Sequence, residues 1–261
     1  MTQVGCDVLG GLTLEQSQCI MAMSPNGVYY TGIRFGTNTR GFLAHTSTWA
    51  VTDILKIDSS HSYALGNDVN DAGNVVGHEK WSVGSTINTI AWFYKRTAGT
   101  NVRLLTPFDA NPSISATPTA ITNDSAYAFG TVDADGPAGA MASVGGYWNL
   151  STRAWTTISG VREVLDASAD GGTLLIIDTA GSGKILRGSV ASGWGTTLFT
   201  FPRPRGGKVS PDGRYVGSSE RISGVPTPFL YDTLNSTRTN LPLVTPQDSL
   251  GGVVGAVSNT G

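Results

Sequence analysis

Three acidic residues lie within or beside the predicted inner strands, the first strand of each repeat: Asp68, Glu163 and Asp166. Glycoside hydrolysis by retaining or inverting chemistry needs two facing carboxylates, roughly 5 to 10 Å apart. Glu163 and Asp166 share one predicted strand at odd spacing, so we expect their side chains to point to opposite faces. Asp68 could then face only one of these two carboxylates, which leaves a single candidate pair. A glycan-cleaving enzyme is therefore the alternative interpretation of this chain.

Three tryptophans beside Gly, Ser and Thr are the candidates for binding a ligand: Trp81, Trp155 and Trp194. An aromatic ring in an exposed loop offers a large and rigid contact area to a partner. We expect these three rings in exposed loops. They favour the first interpretation of function, a non-enzymatic binding or structural module whose partner is a protein or a glycan surface.

Motifs for nucleotide and acyl chemistry are incomplete. Residues 181–184 (Gly-Ser-Gly-Lys) resemble the end of a phosphate loop, but Asp178 and Ile185 stand where that loop requires Gly and Ser or Thr. We interpret this stretch as a turn between two strands. The sequence also lacks the G-x-S-x-G pattern that carries the nucleophile of many serine hydrolases. We therefore expect no nucleotide and no cofactor.

Metal-binding patterns are also incomplete. His45, His61 and His78 lack the paired spacing of zinc ligands. Residues 133–136 (Asp-Ala-Asp-Gly) form half of a calcium loop, but the further oxygen ligands and the terminal Glu are absent. We interpret this segment as a hairpin turn and expect no metal site.

A turn motif that recurs along the chain predicts the elements that position these residues. Its clearest copy is residues 209–217, where Pro211, Asp212 and Gly213 favour a tight reversal between two strands. The copies end at residues separated by 46, 52, 46, 42 and 48 positions, namely Gly27, Gly73, Ser125, Gly171, Gly213 and Gly261. Short strands repeated every 40 to 50 residues or so are typical of β-propeller blades. The sequence predicts an all-β propeller with equivalent turns at these positions.

Each repeat contains four strand-like segments, and the third segment is aromatic in every full repeat except the fourth. The aromatic residues of these segments are Phe42, Trp92, Phe93, Tyr94, Tyr147, Trp148, Phe229 and Tyr231. A blade buries both faces of its sheet against its neighbours, so a ring at one place in each blade is expected in the core. We interpret these rings as core residues rather than as a site for a stacked ligand.

A polar turn ending in Gly, a short apolar strand ending in Gly and an aromatic third strand together resemble the HAF-type extracellular repeat, a divergent propeller blade. Residues 69–77 and 209–217 match best, followed by residues 90–93 and 228–231. The fourth unit departs from the pattern, since Asp178 stands near the position of the strand-ending Gly. The resemblance covers nearly the whole chain. It implies a propeller fold and a surface-exposed or extracytoplasmic location, and it implies no catalytic residues.

The two ends of the chain together match one copy of the repeat. The last turn stops at Gly261, and residues 1–5 supply the apolar continuation that follows the turn glycine in the other units. We therefore expect residues 1–261 to form one closed domain of six blades, the last one composed from both termini; five blades are the alternative. Deleting residues 1–7 should destabilise such a fold by exposing a sheet edge.

Charge and composition restrict the partners. The net charge is −2 and the chain has five lysines, which argues against binding to phosphate backbones. The basic segment 203–208 is interpreted as a solvated loop between blades. No apolar run approaches the length of a membrane span, so we expect no membrane insertion.

The sequence shows no export signal, and its only cysteines are Cys6 and Cys19. We expect two free thiols rather than a bridge in a chain of this kind. A virion component, such as a phage tail or decoration protein, leaves its host by lysis and acts on surfaces without a secretion signal. The sequence is compatible with such a role, including assembly into a larger particle.

Overall fold

The computed structural model describes residues 18–36, 39–83, 86–106, 115–135, 141–202, 204, 206–222, 225–242 and 254–261. These residues form five antiparallel sheets of four strands each. In every sheet the four strands follow one another in sequence order, so each sheet is a meander. The prediction of an all-β chain built from repeated four-stranded units is therefore confirmed for the described residues.

The strands are numbered in chain order. Sheet A contains β1 (Gln18–Met23), β2 (Tyr29–Arg34), β3 (Arg40–His45) and β4 (Val51–Ile54). Sheet B contains β5 (Tyr63–Val69), β6 (Val75–Val83), β7 (Thr86–Lys95) and β8 (Thr100–Arg103). Sheet C contains β9 (Ser115–Ile121), β10 (Tyr127–Asp135), β11 (Met141–Asn149) and β12 (Trp155–Thr157). Sheet D contains β13 (Val161–Ala167), β14 (Thr173–Asp178), β15 (Ser182–Ser189) and β16 (Gly193–Pro202). Sheet E contains β17 (Gly207–Val209), β18 (Tyr215–Ile222), β19 (Val225–Asp232) and β20 (Thr237–Asn240).

The chain divides into two compact units. Unit 1 contains residues 1–143 and 147–156, and therefore sheets A and B with most of sheet C. Unit 2 contains residues 144–146 and 157–261, and therefore sheets D and E. The expectation that the whole chain is one closed domain stays a prediction.

The recurrent turns have the predicted geometry. Their last residues all adopt positive φ, namely Gly27 (71°), Gly73 (74°), Ser125 (60°), Gly171 (70°), Gly213 (72°) and Gly261 (89°). The serine that opens a turn receives a backbone N–H from the start of the next strand: the Ser210 hydroxyl accepts from Tyr215 at 2.8 Å, and the Ser168 hydroxyl accepts from Thr173 at 2.9 Å. This side-chain bond closes the reversal, which is why small polar residues recur there.

Neighbouring turns are joined by hydrogen bonds within each unit. In unit 1, the Asp71 carboxylate accepts the N–H of Asn26 at 2.8 Å, and the Asn123 side chain accepts the N–H of Asp71 at 2.9 Å. In unit 2, the Asn259 side chain accepts the N–H of Asp212 at 3.1 Å. The C-terminal turn thus contacts the turn of sheet E much as the turns of sheets A, B and C contact one another. Residues 1–17, which would complete a sixth blade, lie outside the described residues, so the blade number stays a prediction.

The aromatic third strands form the core, as the sequence predicts. Phe42, Trp92, Trp148 and Phe229 are fully buried. Trp92 packs in the cluster of unit 1 that joins sheets A and B, and Phe229 in the cluster of unit 2 that joins sheets D and E. Gly77 is needed beside Trp92, because a Cβ there would come within 2.3 Å of the indole. The strand-ending glycine therefore makes room for the core ring.

The state of Cys19 differs from the expectation. Cys19 is disulfide-bonded, so the expectation of a free thiol is wrong for this residue. Cys6, the other cysteine of the sequence, lies outside the described residues.

Replacing Gly213 by Ala should destabilise the protein more than replacing Gly99 by Ala. Both glycines have positive φ, 72° and 63°, so either alanine costs about 1 kcal/mol of backbone strain. A Cβ at Gly213 would also stand 2.6 Å from the Thr173 hydroxyl, whereas nothing lies within 4 Å at Gly99. Urea unfolding of the two variants measures the difference, and equal losses would show that crowding at Gly213 is unimportant.

Candidate functional site

The structure uses two of the three candidate acids to join adjacent sheets. Asp68 in β5 accepts the backbone N–H of Ile121, the last residue of β9, at 2.8 Å. Asp166 in β13 accepts the backbone N–H of Val209, the last residue of β17, at 2.8 Å. The two aspartates stand at the same position relative to the turn that follows their strand, five residues before Gly73 and Gly171. Both therefore satisfy a backbone donor of the next sheet in their unit.

Asp166 is only 5% exposed, so its carboxyl group is largely removed from water. Burial raises the pKa of its carboxyl, and the ammonium of Lys208 at 3.4 Å together with the N–H of Val209 partly offsets that rise. The pairing also accounts for Lys208, the last residue of the basic segment, which contacts a carboxylate. Glu163 is part-exposed and pairs with Arg162 at 3.1 Å.

The expectation that Glu163 and Asp166 point to opposite faces is wrong. Glu163 pairs with Ile177 and Asp166 pairs with Leu175, and these partners are two residues apart on β14. A bulge between Val164 and Asp166 absorbs the odd spacing, so the register places both carboxylates on one side of sheet D. Asp166 is nevertheless committed to Lys208 and to a backbone N–H, as described above.

The predicted binding tryptophans do not lie in exposed loops where their side chains are described. Trp194 begins sheet D's last strand and is buried, with its indole N–H donating to the carbonyl of Gly171 at 3.0 Å. Trp155 in β12 is half-buried and packs on Trp148, with 4.5 Å between ring centroids. The side chain of Trp81 lies outside the described residues. Trp155 and Trp194 are packing residues in this structure.

Trp49 is the exposed tryptophan among those whose side chains the structure describes, and the sequence patterns did not single it out. Its side chain is 71% exposed, and its backbone has φ of 55°, a left-handed conformation that bulky residues rarely adopt. The ring leans against Tyr30 with 6.4 Å between centroids. Tyr30 is itself buried and packs on Phe42. Trp49 therefore stands on an aromatic support.

The positive φ of Trp49 recurs in equivalent turns of the chain, but its tryptophan side chain does not. The N–H of Trp49 donates to the carbonyl four residues earlier, as do the N–H groups of Gly99 and Arg153 in the turns between third and fourth strands of sheets B and C. All three residues have positive φ. The position accepts glycine elsewhere in the chain, so this turn does not need an indole. Aligning the turns between third and fourth strands in the sequence would have identified Trp49 as unusual at this position.

Apolar side chains lie beside Trp49. Met23, Tyr30, Ala44 and Val51 are successive register partners across the four strands of sheet A, which places them in one row on one face. Met23 is 56% exposed and Val51 is 37% exposed. We call Met23, Trp49 and Val51 the Trp49 patch.

Two further candidate segments from the sequence lie in or beside strands of sheets C and D. The interpretation of residues 181–184 as a turn holds for Gly181 alone, because residues 182–184 begin β15, where Lys184 pairs with Asp178 at 2.9 Å. Asp133 lies in β10, and Gly136 is outside the described residues. Within the described ranges, His, Cys, Asp and Glu form no group of three that could hold a metal ion. No helix in that part of the chain is long and apolar enough to cross a membrane.

Comparisons with known proteins give a fold but no family. No family model and no curated protein matches the chain. Among solved structures, TolB from Acinetobacter baumannii matches 86% of the chain at 16% identity with a TM-score of 0.54. A TolB from Agrobacterium tumefaciens matches 85% of the chain at 12% identity with a TM-score of 0.56. A puromycin hydrolase matches 82% of the chain at 15% identity with a TM-score of 0.53.

TolB is a β-propeller, and the described sheets have the meander topology of blades. The fold is a β-propeller. The chain covers 54% of the Acinetobacter protein, 80% of the Agrobacterium protein and 37% of the puromycin hydrolase. At these identities the likeness concerns the fold alone.

Replacing Asp166 by Asn should change how stability depends on pH. Because the pKa of Asp166 is raised on folding, the parent loses stability as pH rises from about 3.8, the ordinary Asp value, through the raised value. The asparagine side chain retains an acceptor for Val209 and does not ionise. The melting temperature of the variant should therefore improve relative to the parent as pH rises through this window.

Asp232 provides the comparison of opposite sign. The guanidinium of Arg214 lowers the pKa of Asp232 to about 2, so its contribution is present above about 3.8 and is lost as pH falls towards 2. Asp232→Asn should therefore lose stability relative to the parent as pH rises. Parallel pH profiles for the two variants would contradict the role given to Asp166.

Proposed function

We propose that this chain is a non-enzymatic β-propeller that binds a protein partner through the Trp49 patch. The observation that carries the proposal is the indole of Trp49, 71% exposed on a left-handed backbone position. One edge of the indole contacts a buried ring, Tyr30. A rigid, exposed tryptophan is the kind of residue that dominates binding energy at protein interfaces.

The cost of Trp49 supports a functional role. A non-glycine residue in the left-handed region costs on the order of 1 kcal/mol, and exposing an indole to water adds to this cost. Gly99 occupies the equivalent position in sheet B without such strain, whereas Arg153 adopts the same conformation in sheet C. The exposed indole, rather than the backbone, therefore distinguishes Trp49.

The neighbours of Trp49 favour a protein over a glycan. Sugar recognition combines an aromatic ring with polar groups that bond the hydroxyls, whereas Met23 and Val51 are apolar. The charged groups on the same face of sheet A are already engaged with one another, since Asp53 accepts from Arg34 at 3.3 Å and from Arg40 at 3.4 Å. Exposed Trp and Met side chains are typical of protein interfaces.

The finer proposal is a HAF-type extracellular propeller on a cell or virion surface, for example as a phage tail or decoration protein. The disulfide of Cys19 supports an oxidising environment, where such bonds persist. The low content of lysine supports partners other than nucleic acid. The glycan-cleaving alternative lacks comparable support, because a carboxylate oxygen of both Asp68 and Asp166 accepts a backbone N–H.

Trp49→Gly should abolish partner binding and leave the fold intact. Removing the left-handed strain offsets the lost contact with Tyr30, so the melting temperature should change little. Arg153→Gly is the matched control, since it makes the same backbone change at the equivalent turn of sheet C. Peptides that bind the parent protein are first selected from a random display library. These peptides should bind Trp49→Gly at least about tenfold more weakly than the parent, and should bind Arg153→Gly as tightly as the parent.

In parallel, the parent and its variants are tested for binding on a glycan array and for release of reducing ends from the same polysaccharides. Selected peptides that bind Trp49→Gly as tightly as the parent would contradict the proposal. Glycan binding that is lost in Trp49→Gly would replace the protein partner by a glycan. Release of reducing ends that is abolished by Asp68→Asn would establish the enzyme instead.

A further inference from the structure

A row of polar side chains crosses sheet B in unit 1. Tyr63 of β5 pairs with Lys80 of β6, which pairs with Thr89 of β7, so the three side chains share one face. His78 lies one row further along β6 on the same face, opposite Leu65. Tyr63, His78 and Lys80 are all half-buried. Hydrogen-bonding groups are therefore concentrated at a surface that is only partly open to water.

The protonation of His78 is defined by its neighbours. The side-chain amide N–H of Asn67 lies 3.1 Å from Nδ1 of His78, and the same amide donates to the carbonyl of Pro118 at 2.6 Å. The bond to a carbonyl identifies the amide nitrogen as the donor, so Nδ1 of His78 accepts and Nε2 carries the proton. Burial, with a further contribution from Lys80, lowers the pKa of His78 to about 4. The neutral ring thus presents an N–H donor at Nε2.

Lys80 and Tyr63 add two further donors. The ammonium of Lys80 lies 5.5 Å from the centroid of the Tyr63 ring. Among the described residues, Lys80 has no carboxylate within ion-pair distance, whereas Lys184 and Lys208 each have one. Burial raises the pKa of Tyr63, so its hydroxyl keeps its proton.

A carboxylate, Asp68 of β5, shares this face, because its register partner on β6 lies two residues before His78; it accepts the N–H of Ile121 at 2.8 Å. The adjacent strand β9 contributes Ser115 and Thr117, whose hydroxyls contact Thr89 at 3.2 and 3.3 Å, and its sequence contains no charged residue. Glu79 alternates to the other face of β6, where it contacts His61 at 2.6 Å. The row is therefore a set of donors, and the carboxylate that shares its face lies two rows beyond Lys80 and is bonded to a backbone N–H.

We propose that Tyr63, His78 and Lys80 form a binding site for a small ligand that bears a carboxylate. The imidazole N–H, the phenol and the ammonium each donate to an anion. A carboxylate would give Lys80 an ion-pair partner, whereas a dianion would leave excess negative charge in a half-buried place that Asp68 also faces. The site is separate from the Trp49 patch, because it lies on sheet B and uses none of the patch residues.

Histidine NMR tests this site directly, since the chain has only three histidines. Acetate is the probe, titrated to about 50 mM at constant ionic strength, which covers dissociation constants in the millimolar range. We expect a saturable shift of the His78 imidazole nitrogens and a rise in its pKa from about 4, because a bound anion favours the imidazolium. His45, whose ring contacts Ser47 at 3.1 Å, should not respond and is the internal control.

Lys80→Met removes the charge but keeps an aliphatic stem, and it should abolish the saturable response to acetate. Lys95→Met, an exposed lysine of the same sheet, should respond as the parent does. The proposal is overturned if His78 shows no saturable shift, if Lys80→Met responds like the parent, or if sulfate and chloride act as acetate does. Backbone amide spectra of both variants establish that each is folded.

Discussion

The unpaired backbone of the first strand in each sheet is the constraint on which the packing of neighbouring sheets depends. In a four-stranded meander this strand is an edge, so its outward N–H groups need acceptors from elsewhere. Asp68 supplies an acceptor to Ile121 in unit 1, and Asp166 supplies one to Val209 in unit 2. A carboxylate of one sheet thus accepts a backbone N–H from the edge strand of the next sheet in the same unit. A hydrogen bond to a charged acceptor is stronger than one between neutral groups, which suits it to this task.

This constraint also explains why the acidic residues near the first strands resemble catalytic groups. A buried carboxyl with a shifted pKa beside a lysine is a frequent feature of active sites. Asp166 has these features because it joins two sheets, with Lys208 and a backbone N–H offsetting the cost of its burial. The recurrence of the same contact at Asp68 favours a structural role, because a catalytic residue has no reason to repeat in equivalent blades.

Trp49 and the row at His78 depart from the regularity of the repeat, and both proposals rest on that departure. Trp49 takes a position where Gly99 stands in sheet B, at a cost in strain and exposure. Lys80, which lies over the Tyr63 ring, has no carboxylate within ion-pair distance among the described residues and stands beside a neutral histidine. Natural proteins break local rules mainly at functional sites, because the loss of stability there is offset by function.

The sequence by itself determined the turns and the core rings. A serine such as Ser210 and a glycine such as Gly213 act on the backbone within five residues, so their pattern is legible without the fold. Only the tertiary structure decided which side chains are available for binding. A bulge turned Asp166 to the side of Glu163, and Trp49 alone among the described indoles is exposed. Exposure and strand register depend on residues that are distant in sequence, and local patterns do not contain them.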